Sequence, residues 1–231
     1  MQTYNIYADM LRQSHILIAG ATGSGKSTLL TGLIYTALFS QPTEAQFIFI
    51  DCKYGVELSK YSRLPHTIGT ACSHTEALNA LDYAINIMVS RFDYMRSYGL
   101  TMFNGPDIYV IVDELADLMT VCKKETVPKI QRLAQLGRAA RVHLIVCTQC
   151  PLRSIIPTEI KCNFDSRIAL RTATRQDSRN IIDIPGAETL PDPRTAGRAE
   201  MLYKHSTTID RVIMFRYSDL DISYMLSYWT A

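Results

Sequence analysis

Apolar residues follow two alternating patterns along this chain. Short apolar runs are typical of strands buried on both faces, whereas longer segments repeat apolar residues every three or four positions, as helices packed on a sheet do. Strands that alternate with helices predict an α/β fold, with a mostly parallel central sheet and flanking helices, in one domain over 1–231. Strands are predicted at 15–19, 46–50, 108–112, 142–147 and 167–171.

The longest predicted helix begins at a capping box formed by Ser73 and Glu76 and ends near Gly99. Residues 1–14 predict an edge strand or a lead-in, and a loop is expected around Pro65. The apolar stripe of the long helix comprises Leu78, Leu81, Ile85, Met88 and Phe92. Other helices are predicted at 27–39, 115–121, 127–140, 177–182 and 219–229, and a terminal hairpin at 200–203 and 211–217.

The composition is that of an ordinary globular protein, with 47% hydrophobic and 20% charged residues. No apolar run approaches the roughly 20 residues that a membrane-spanning helix needs. The N-terminus lacks the basic and apolar regions of a signal peptide, so a cytoplasmic location without a membrane segment is expected. The six cysteines do not form a metal-binding pattern and are expected to be reduced thiols that mostly fill the core.

The run from Gly20 to Ser27 fits the P-loop pattern G-x-x-x-x-G-K-[ST]. It lies between a predicted strand and a predicted helix, the context that such a loop needs; a glycine-rich turn that matches by chance is the alternative. Lys26 would neutralise the β- and γ-phosphates of a nucleoside triphosphate, and the Ser27 hydroxyl would ligate Mg²⁺. The predicted nucleotide-binding residues are Gly20, Ala21, Thr22, Gly23, Ser24, Gly25, Lys26 and Ser27.

Two carboxylates follow the strand predicted at 108–112. Asp113 completes a Walker B pattern and would hold the metal through its water shell. Glu114 is placed to orient or deprotonate an attacking water, which favours hydrolysis, although a helix N-terminus enriched in acids is the alternative. Gln149, at the tip of the next predicted strand, would be a γ-phosphate sensor or a turn-forming polar residue.

Positive charge is concentrated in one part of the chain. The net charge is only +2, but 138–179 contains eight basic and three acidic residues. Such a basic segment in an otherwise acidic chain is a candidate surface for a polyanion, and a solvated face with structural ion pairs is the alternative.

Nine segments, in order, resemble the motor domain of the FtsK/SpoIIIE family of hexameric DNA translocases, which is related to the HerA-type ATPases. Together they span 15–203, nearly the whole chain. The segments are HILIAGATGSGKS at 15–27, FIDCK at 49–53, VDELADLM at 112–119, GRAARVHLIVCTQ at 137–149, IK at 160–161 with Asn163, SRIAL at 166–170, QDSRNIID at 176–183, GAE at 186–188 and EMLY at 200–203.

The resemblance implies a RecA-like P-loop NTPase core that hydrolyses ATP with Mg²⁺ and moves double-stranded DNA through a homo-oligomeric, hexameric ring. Lys26, Glu114 and Gln149 would act in hydrolysis. Arg138 matches the arginine finger that a neighbouring subunit supplies, and a structural helix residue is the alternative. Lys161, Arg175 and Arg179 match DNA-contacting positions in the pore, where the alternative is surface ion pairing.

The chain also departs from the family pattern. Cys150 stands where the family has an arginine, for which Arg153 is a nearby substitute, and the segment 191–196 looks inserted. These departures favour a motor from a phage, plasmid or conjugative element, which would need a recruiting or loading protein. The alternatives are a protein-export ATPase of the type VII secretion kind and an ATP-binding scaffold of a conjugation complex; the intact nucleotide site speaks against the export ATPase.

Overall fold

The structure, a computed structural model, describes residues 6–230. Its strands and helices alternate along most of the chain, as the apolar pattern predicts. The strands are β1 His15–Ala19, β2 Ala45–Ile50, β3 Thr67–Ala71, β4 Asp107–Val112, β5 Val142–Thr148, β6 Ser166–Leu170, β7 Glu200–His205 and β8 Thr208–Ile213. The helices are α1 Ile6–Leu11, α2 Lys26–Ser40, α3 His74–Tyr98, α4 Leu115–Val121, α5 Lys123–Leu136, α6 Thr158–Lys161, α7 Arg175–Ile182, α8 Pro193–Ala196 and α9 Asp219–Thr230.

The eight strands form one sheet in the order β3-β2-β4-β5-β1-β6-β7-β8. β1 to β6 are parallel, whereas β7 and β8 form an antiparallel hairpin at one end of the sheet. The predicted mostly parallel sheet, C-terminal hairpin and closing helix are confirmed. β1 lies between β5 and β6, so the loops that follow these three strands meet at one edge of the sheet.

Helices cover both faces of the sheet and bury an apolar core on each. One core contains the buried residues of α3, α5 and α7 together with Val110 and Val112 of β4. The other contains those of α1, α2 and α9 together with Tyr109 and Ile111 of the same strand. Because both faces are buried, β4 is a continuous apolar run from Ile108 to Val112 rather than an alternation of apolar and polar residues.

The long helix α3 is capped much as the sequence predicts. The Ser73 hydroxyl accepts a hydrogen bond from the backbone N–H of Glu76, and the Glu76 carboxylate accepts one from the N–H of Cys72 rather than of Ser73. Gly99 ends the helix in the left-handed region at φ 66°. In the predicted stripe, Leu81, Ile85 and Met88 are buried, whereas Leu78 and Phe92 are half-buried.

The sequence misses two elements at the edges of the fold. No edge strand precedes β1 in the described part of 1–14; instead Tyr7 and Met10 anchor the short helix α1 on the sheet, while residues 1–5 lie outside the described residues. The loop expected around Pro65 is followed by an edge strand, β3. Its residues are mostly half-exposed and include Gly69, so it lacks the apolar run by which the inner strands were found.

The cysteines depart from the expectation in burial but not in oxidation state. All six are free thiols. Only Cys147 is buried, whereas Cys72 and Cys162 are exposed and the others are half-buried, so the expectation that most of them fill the core is wrong. Within residues 6–230 no three or more His, Cys, Asp or Glu side chains form a group that could hold a metal ion, and no helix is both long and apolar enough to cross a membrane.

Candidate nucleotide-binding site

The predicted P-loop joins β1 to α2 at the edge of the sheet where the parallel strands end. Gly23 and Gly25 adopt φ values of 75° and 103°, which other residues rarely do. Ala21 donates its backbone N–H to the carbonyl of Arg171 at 2.8 Å, and Gly20 donates to the carbonyl of Thr148 at 3.3 Å. The loop is therefore tied to both strands that flank β1, and its N–H groups lie at the start of a 15-residue helix, as phosphate binding requires.

Lys26 is held by the carboxylate that follows β4. Its ammonium donates to the Asp113 carbonyl oxygen at 2.7 Å and to Oδ1 of the same residue at 3.0 Å. Both side chains are buried, with exposed fractions of 8% and 1%. Burial raises the pKa of the Asp113 carboxyl, and the neighbouring Lys26 ammonium opposes that shift. Lys26 and Asp113 thus neutralise each other inside the site.

Buried polar atoms without partners show that the site suits a bound nucleotide. The Ser24 hydroxyl and Asp113 Oδ2 are both buried and have no hydrogen-bond partner among the described residues. A phosphate oxygen would accept from Ser24, and a metal-bound water would donate to Asp113. Ser27 lines the same small cleft as Asp113. Ser27 and Asp113 therefore fit the residues that would hold Mg²⁺, and Lys26 and the P-loop fit those that would hold the triphosphate.

Glu114 is oriented by the end of β5. Its carboxylate accepts a hydrogen bond of 2.6 Å from the Thr148 hydroxyl and bonds of 3.1 Å from the backbone N–H of Gln149. The same carboxylate caps α4 by accepting from the N–H of Ala116, and the Lys53 ammonium lies 3.5 Å from its Oε2. Glu114 is buried, and every one of these partners is a hydrogen-bond donor or a cation, so its two oxygens are held in one orientation.

Gln149 links the end of β5 to the P-loop. Its side-chain oxygen accepts a hydrogen bond of 2.6 Å from the Thr22 hydroxyl. The predicted residues Lys26, Asp113, Glu114 and Gln149 therefore come together around one loop. The bond between Thr22 and Gln149 joins residues that are 127 positions apart in the chain.

Arg138 lies far from this cluster. It is exposed in the turn 137–141 between α5 and β5, so it lies at the edge of the sheet where the parallel strands begin. A strand of seven residues such as β5 spans about 20 Å, far more than an arginine side chain can bridge. Arg138 cannot reach the P-loop of its own chain.

A network of charged groups fixes the turn that carries Arg138. The guanidinium of Arg141 donates to both oxygens of Asp107 at 2.8 and 2.7 Å, and Arg91 donates to the carbonyls of Ala140 and Arg141 at 2.7 and 3.1 Å. Arg141 has a φ of 53°, an uncommon value for a residue with a side chain. The turn is therefore held in one conformation, with the Arg138 side chain exposed on its surface.

The predicted DNA-contacting residues divide between two places. Lys161 and Arg179 line one open groove of about 710 Å³ with Arg153 and Arg167, whereas Arg175 lies outside it. Arg179 is exposed. Arg175 is also exposed but lies 3.5 Å from Glu188. The groove collects four basic residues of the segment that the sequence marks as a polyanion-binding candidate.

The Lys161 ammonium is less available for contact with DNA than the guanidinium groups of Arg175 and Arg179. Its ammonium lies 2.7 Å from Asp183, which also pairs with Arg167 at 2.8 Å and with Lys204 at 2.5 Å. Burial raises the pKa of the Asp183 carboxyl, but hydrogen bonds from these three cations outweigh it and hold the pKa well below its usual range. Three cations around one carboxylate leave the cluster with net positive charge.

Sequence reasoning missed several residues around the nucleotide site. Lys53 belongs to the FIDCK segment, yet no role followed from its position beside β2. Thr148, which orients Glu114, looks like an ordinary end of a strand. Arg194 belongs to the segment that looks inserted, and the structure places it beside Gly23 of the P-loop. Neither the Lys53 contact nor the Arg194 contact has a sequence signal, because each joins segments that are distant along the chain.

Comparison with known proteins agrees with this geometry. The sequence profile of the FtsK/SpoIIIE family matches residues 2–107 and 102–153. The chain is 38% identical over 214 residues to the DNA translocase FtsK of Clostridium acetobutylicum, a match that covers 86% of this chain and 27% of the relative. It is 37% identical over 219 residues to the DNA translocase SpoIIIE of Bacillus subtilis, again covering 86% of this chain and 27% of the relative. The chain thus spans little more than a quarter of these relatives.

Solved structures show the same fold. The monomer form of the conjugation coupling protein TcpA of pCW3, with ATPγS, superposes with a TM-score of 0.80 at 26% identity, covering 95% of this chain and 66% of that one. The type VII secretion ATPase EccC of Thermomonospora curvata superposes with a TM-score of 0.79 at 22% identity, covering 94% and 28%. The predicted P-loop ATPase fold is therefore confirmed, and the chain belongs to the FtsK/SpoIIIE family.

Proposed function

We propose that this chain is the ATPase motor domain of a double-stranded DNA translocase, in which ATP hydrolysis at the contacts between subunits moves DNA through a ring. The observation that supports this most directly is the set of side chains at the P-loop. Lys26, Asp113, Glu114 and Gln149 are joined by contacts of 2.6 to 4.0 Å through the loop and the end of β5. Glu114 also caps α4, but a protein that only bound a nucleotide would not need its carboxylate 4.0 Å from Lys26 at the P-loop.

The residues would divide the chemistry as follows. Lys26 would leave Asp113 and pair with the β- and γ-phosphates, and Ser27 and Asp113 would hold Mg²⁺. The metal would supply positive charge to the phosphate oxygens. Glu114 would accept a proton from the water that attacks the γ-phosphorus, while the bond to the bridging oxygen breaks and ADP leaves. Gln149, now bonded to Thr22, would respond to the γ-phosphate.

The position of Arg138 supports hydrolysis between subunits. Since it cannot reach its own P-loop, any contact that it makes with a nucleotide has to be in a neighbouring copy. An arginine that acts in this way raises the rate by roughly 10³ to 10⁵ in other nucleotide hydrolases. We therefore propose a homo-oligomeric ring, a hexamer as the family resemblance implies, in which each site is complete only when a second subunit supplies Arg138.

The groove with Lys161 and Arg179, together with the exposed Arg175, is the DNA surface that we propose. Guanidinium and ammonium groups on an open surface contact phosphates rather than bases, and such binding weakens as salt rises. Arg153 lines the same groove and would supply the arginine that Cys150 replaces. The surface would hold any duplex sequence, as a translocase requires.

A role in a conjugative element has specific support. TcpA is a conjugation coupling protein, and its likeness to this chain is accompanied by 26% sequence identity. We propose transfer of a mobile element as the process, with a recruiting or loading protein as a further partner. The likeness to EccC shows the fold alone, so protein export has no comparable support. The cytoplasmic location expected from the sequence stays a prediction.

The proposal is tested by measuring ATP hydrolysis with and without duplex DNA at low salt. We expect DNA to stimulate hydrolysis by the wild-type chain and high salt to remove the stimulation. Glu114→Gln should bind ATP and hydrolyse at least about 100-fold more slowly, because the amide cannot accept the proton. Lys26→Ala is the control that should lose nucleotide binding.

Light scattering in the same solutions, with an ATP analogue and DNA, would report whether a ring assembles. Hydrolysis that DNA leaves unchanged under all conditions would refute the translocase function. Wild-type turnover by Glu114→Gln would refute its role as the base.

A further inference from the structure

The segment 191–196 looks inserted in the sequence, and the structure places it against the P-loop. A methyl group added to Gly23 would lie 3.6 Å from both Cδ and Nε of Arg194 and 3.8 Å from its Cζ. Ala21, Thr22, Gly23 and Ser24 share a small cleft with Arg194 and its neighbours. The guanidinium of Arg194 therefore lies directly beside the loop that would hold the phosphates.

The Arg194 guanidinium is paired with the carboxylate of Asp192. The guanidinium donates through Nε to Oδ1 of Asp192 at 2.9 Å and through a terminal nitrogen to Oδ2 at 2.5 Å. A terminal nitrogen of Arg171, whose carbonyl anchors the P-loop, lies 3.7 Å from the same Oδ2 of Asp192. Two guanidinium groups beside a phosphate-binding loop thus share one internal anion.

The surroundings of Arg194 favour a polyanion. An open pocket of about 380 Å³ extends from Gly25 and Thr28 of the P-loop and α2 along the inserted segment to the end of β8. Arg194, Arg198 and Arg216 line it, and among the described residues no carboxylate does. Coulombic attraction from these groups adds to the charge of Lys26 at the same edge of the sheet.

We propose that Arg194 is a nucleotide-binding residue of its own subunit, which exchanges Asp192 for the phosphates of a nucleoside triphosphate bound in the P-loop. This inference rests on the nucleotide binding in the proposed function and adds a cation in cis to the one that Arg138 would supply in trans. A planar guanidinium binds phosphate oxygens in pairs, as it now binds Asp192. The carboxylate would hold Arg194 near the loop until the nucleotide arrives.

An ion pair with a structural role alone is a weaker explanation of this arrangement. The Arg194 side chain is 69% exposed. Pairs so open to water contribute little to folding stability, because solvent screens them. Asp192 already caps α8 by accepting from the backbone N–H of Arg194, and that bond does not need the guanidinium. The pairing of the Arg194 guanidinium with Asp192 therefore positions a charge beside the P-loop but adds less to folding stability than the cap does.

The test is the affinity for fluorescent ATPγS and ADP, measured at low salt for the wild type and for Arg194→Ala, Arg194→Lys and Asp192→Asn. Arg194→Ala should weaken ATPγS binding about tenfold, as loss of a charge-assisted hydrogen bond predicts. Arg194→Lys should recover part of the loss, because the charge is kept but the fork is not. Asp192→Asn should tighten binding about threefold, since the competing charge is removed while the cap is kept.

Arg96→Ala is the matched control, because Arg96 is an exposed arginine paired with a nearby carboxylate, Asp93, on α3. It should leave the affinity unchanged. Equal affinities for Arg194→Ala and the wild type would overturn the inference while nucleotide binding itself stood, provided that Lys26→Ala abolished it. Weaker ATPγS binding by Asp192→Asn would overturn the proposal that Arg194 exchanges Asp192 for the phosphates. A wild-type chain that bound no ATPγS would overturn both this inference and the proposed function.

Discussion

Glu114 shows how one residue can combine structural and chemical duties. Its carboxylate caps α4 and receives donors from Thr148 and Gln149, so the base proposed for hydrolysis is also the contact between the ends of β4 and β5. The sequence indicates the base, because Asp-Glu after an apolar strand is a recognisable pattern. It does not indicate the contacts that orient it, because they come from side-chain geometry at the end of another strand.

His15 leads to a prediction about stability and pH. Its ring is buried at the start of β1, and Nδ1 accepts a hydrogen bond of 3.0 Å from the backbone N–H of Leu144. Burial lowers the pKa of His15 to about 3, and the nearby His143 adds to the shift. The unfolded chain binds a proton at His15 near pH 6.5, whereas the folded chain does not, so stability falls as the pH drops below that value.

Between pH 7 and pH 5 this single residue should remove about 2 kcal/mol from the free energy of unfolding. His15→Asn keeps an acceptor close to the Leu144 N–H but removes the ring that titrates. The variant should be less stable than the wild type at pH 7, but its free energy of unfolding should fall less on acidification. Urea unfolding at several pH values measures both curves. If they ran parallel from pH 7 to pH 5, His15 would not be the group that titrates.

At the scale of elements, the proposed function depends on the turn 137–141, because this turn carries Arg138. Burial raises the pKa of the Asp107 carboxyl, but hydrogen bonds from Arg141 and His143 outweigh it and hold the pKa well below its usual range. The sequence predicts a helix through this region to residue 140, whereas α5 ends at Leu136. Long-range contacts to Asp107 and Arg91, which local periodicity does not record, end the helix early.

Asp107→Asn should loosen this turn without touching the nucleotide site. Loss of the charge leaves Arg141 partly buried without its partner, which should lower the free energy of unfolding by about 2 kcal/mol. DNA-stimulated hydrolysis should fall further than ATPγS binding, because Arg138 would no longer be held in place for a neighbouring subunit. Asp93→Asn, which breaks an exposed pair with Arg96, is the matched control. Unchanged hydrolysis in a measurably destabilised Asp107→Asn would show that the turn does not position Arg138.

The elements themselves divide by burial into those that the sequence predicts and those that it does not. Strands buried on both faces are predicted to within a residue or two, because nothing but a continuous apolar run can occupy the centre of such a sheet. The edge strand β3 and the short helices α1 and α8 lack that constraint. β3 and α1 depend on contacts with distant segments, so the sequence predicts a loop and an edge strand or lead-in there. α8 is a single turn capped locally by Asp192 and Gly197, within the segment that looks inserted.

In the whole molecule, the groups proposed for hydrolysis lie at two opposite edges of one sheet. The P-loop, Asp113 and Glu114 lie where the parallel strands end, and Arg138 lies where they begin. Neighbouring copies in a ring that stack these opposite edges would join a P-loop to an arginine at every contact. The motifs alone predict the parts of the site, but only the topology shows that one chain cannot bring them all together.

Mixing subunits tests this division directly. Arg138→Ala keeps an intact P-loop and lacks the finger, while Lys26→Ala lacks a working P-loop and keeps the finger. Each variant alone should be inactive in DNA-stimulated hydrolysis. In an equal mixture, about a quarter of the contacts should pair an intact Lys26 with an intact Arg138, because each subunit contributes to two sites.

Activity should therefore rise to a maximum at equal amounts of the two variants and fall to nothing at either extreme. Mixing Lys26→Ala with a Lys26→Ala, Arg138→Ala double variant is the control, since no contact in it has an intact P-loop. A rescue with this dependence on the mixing ratio requires that Lys26 and Arg138 of different chains act at one nucleotide. The absence of rescue at every ratio, from variants that still assemble, would exclude Arg138 as the finger and leave the subunit contact without a known catalytic contribution.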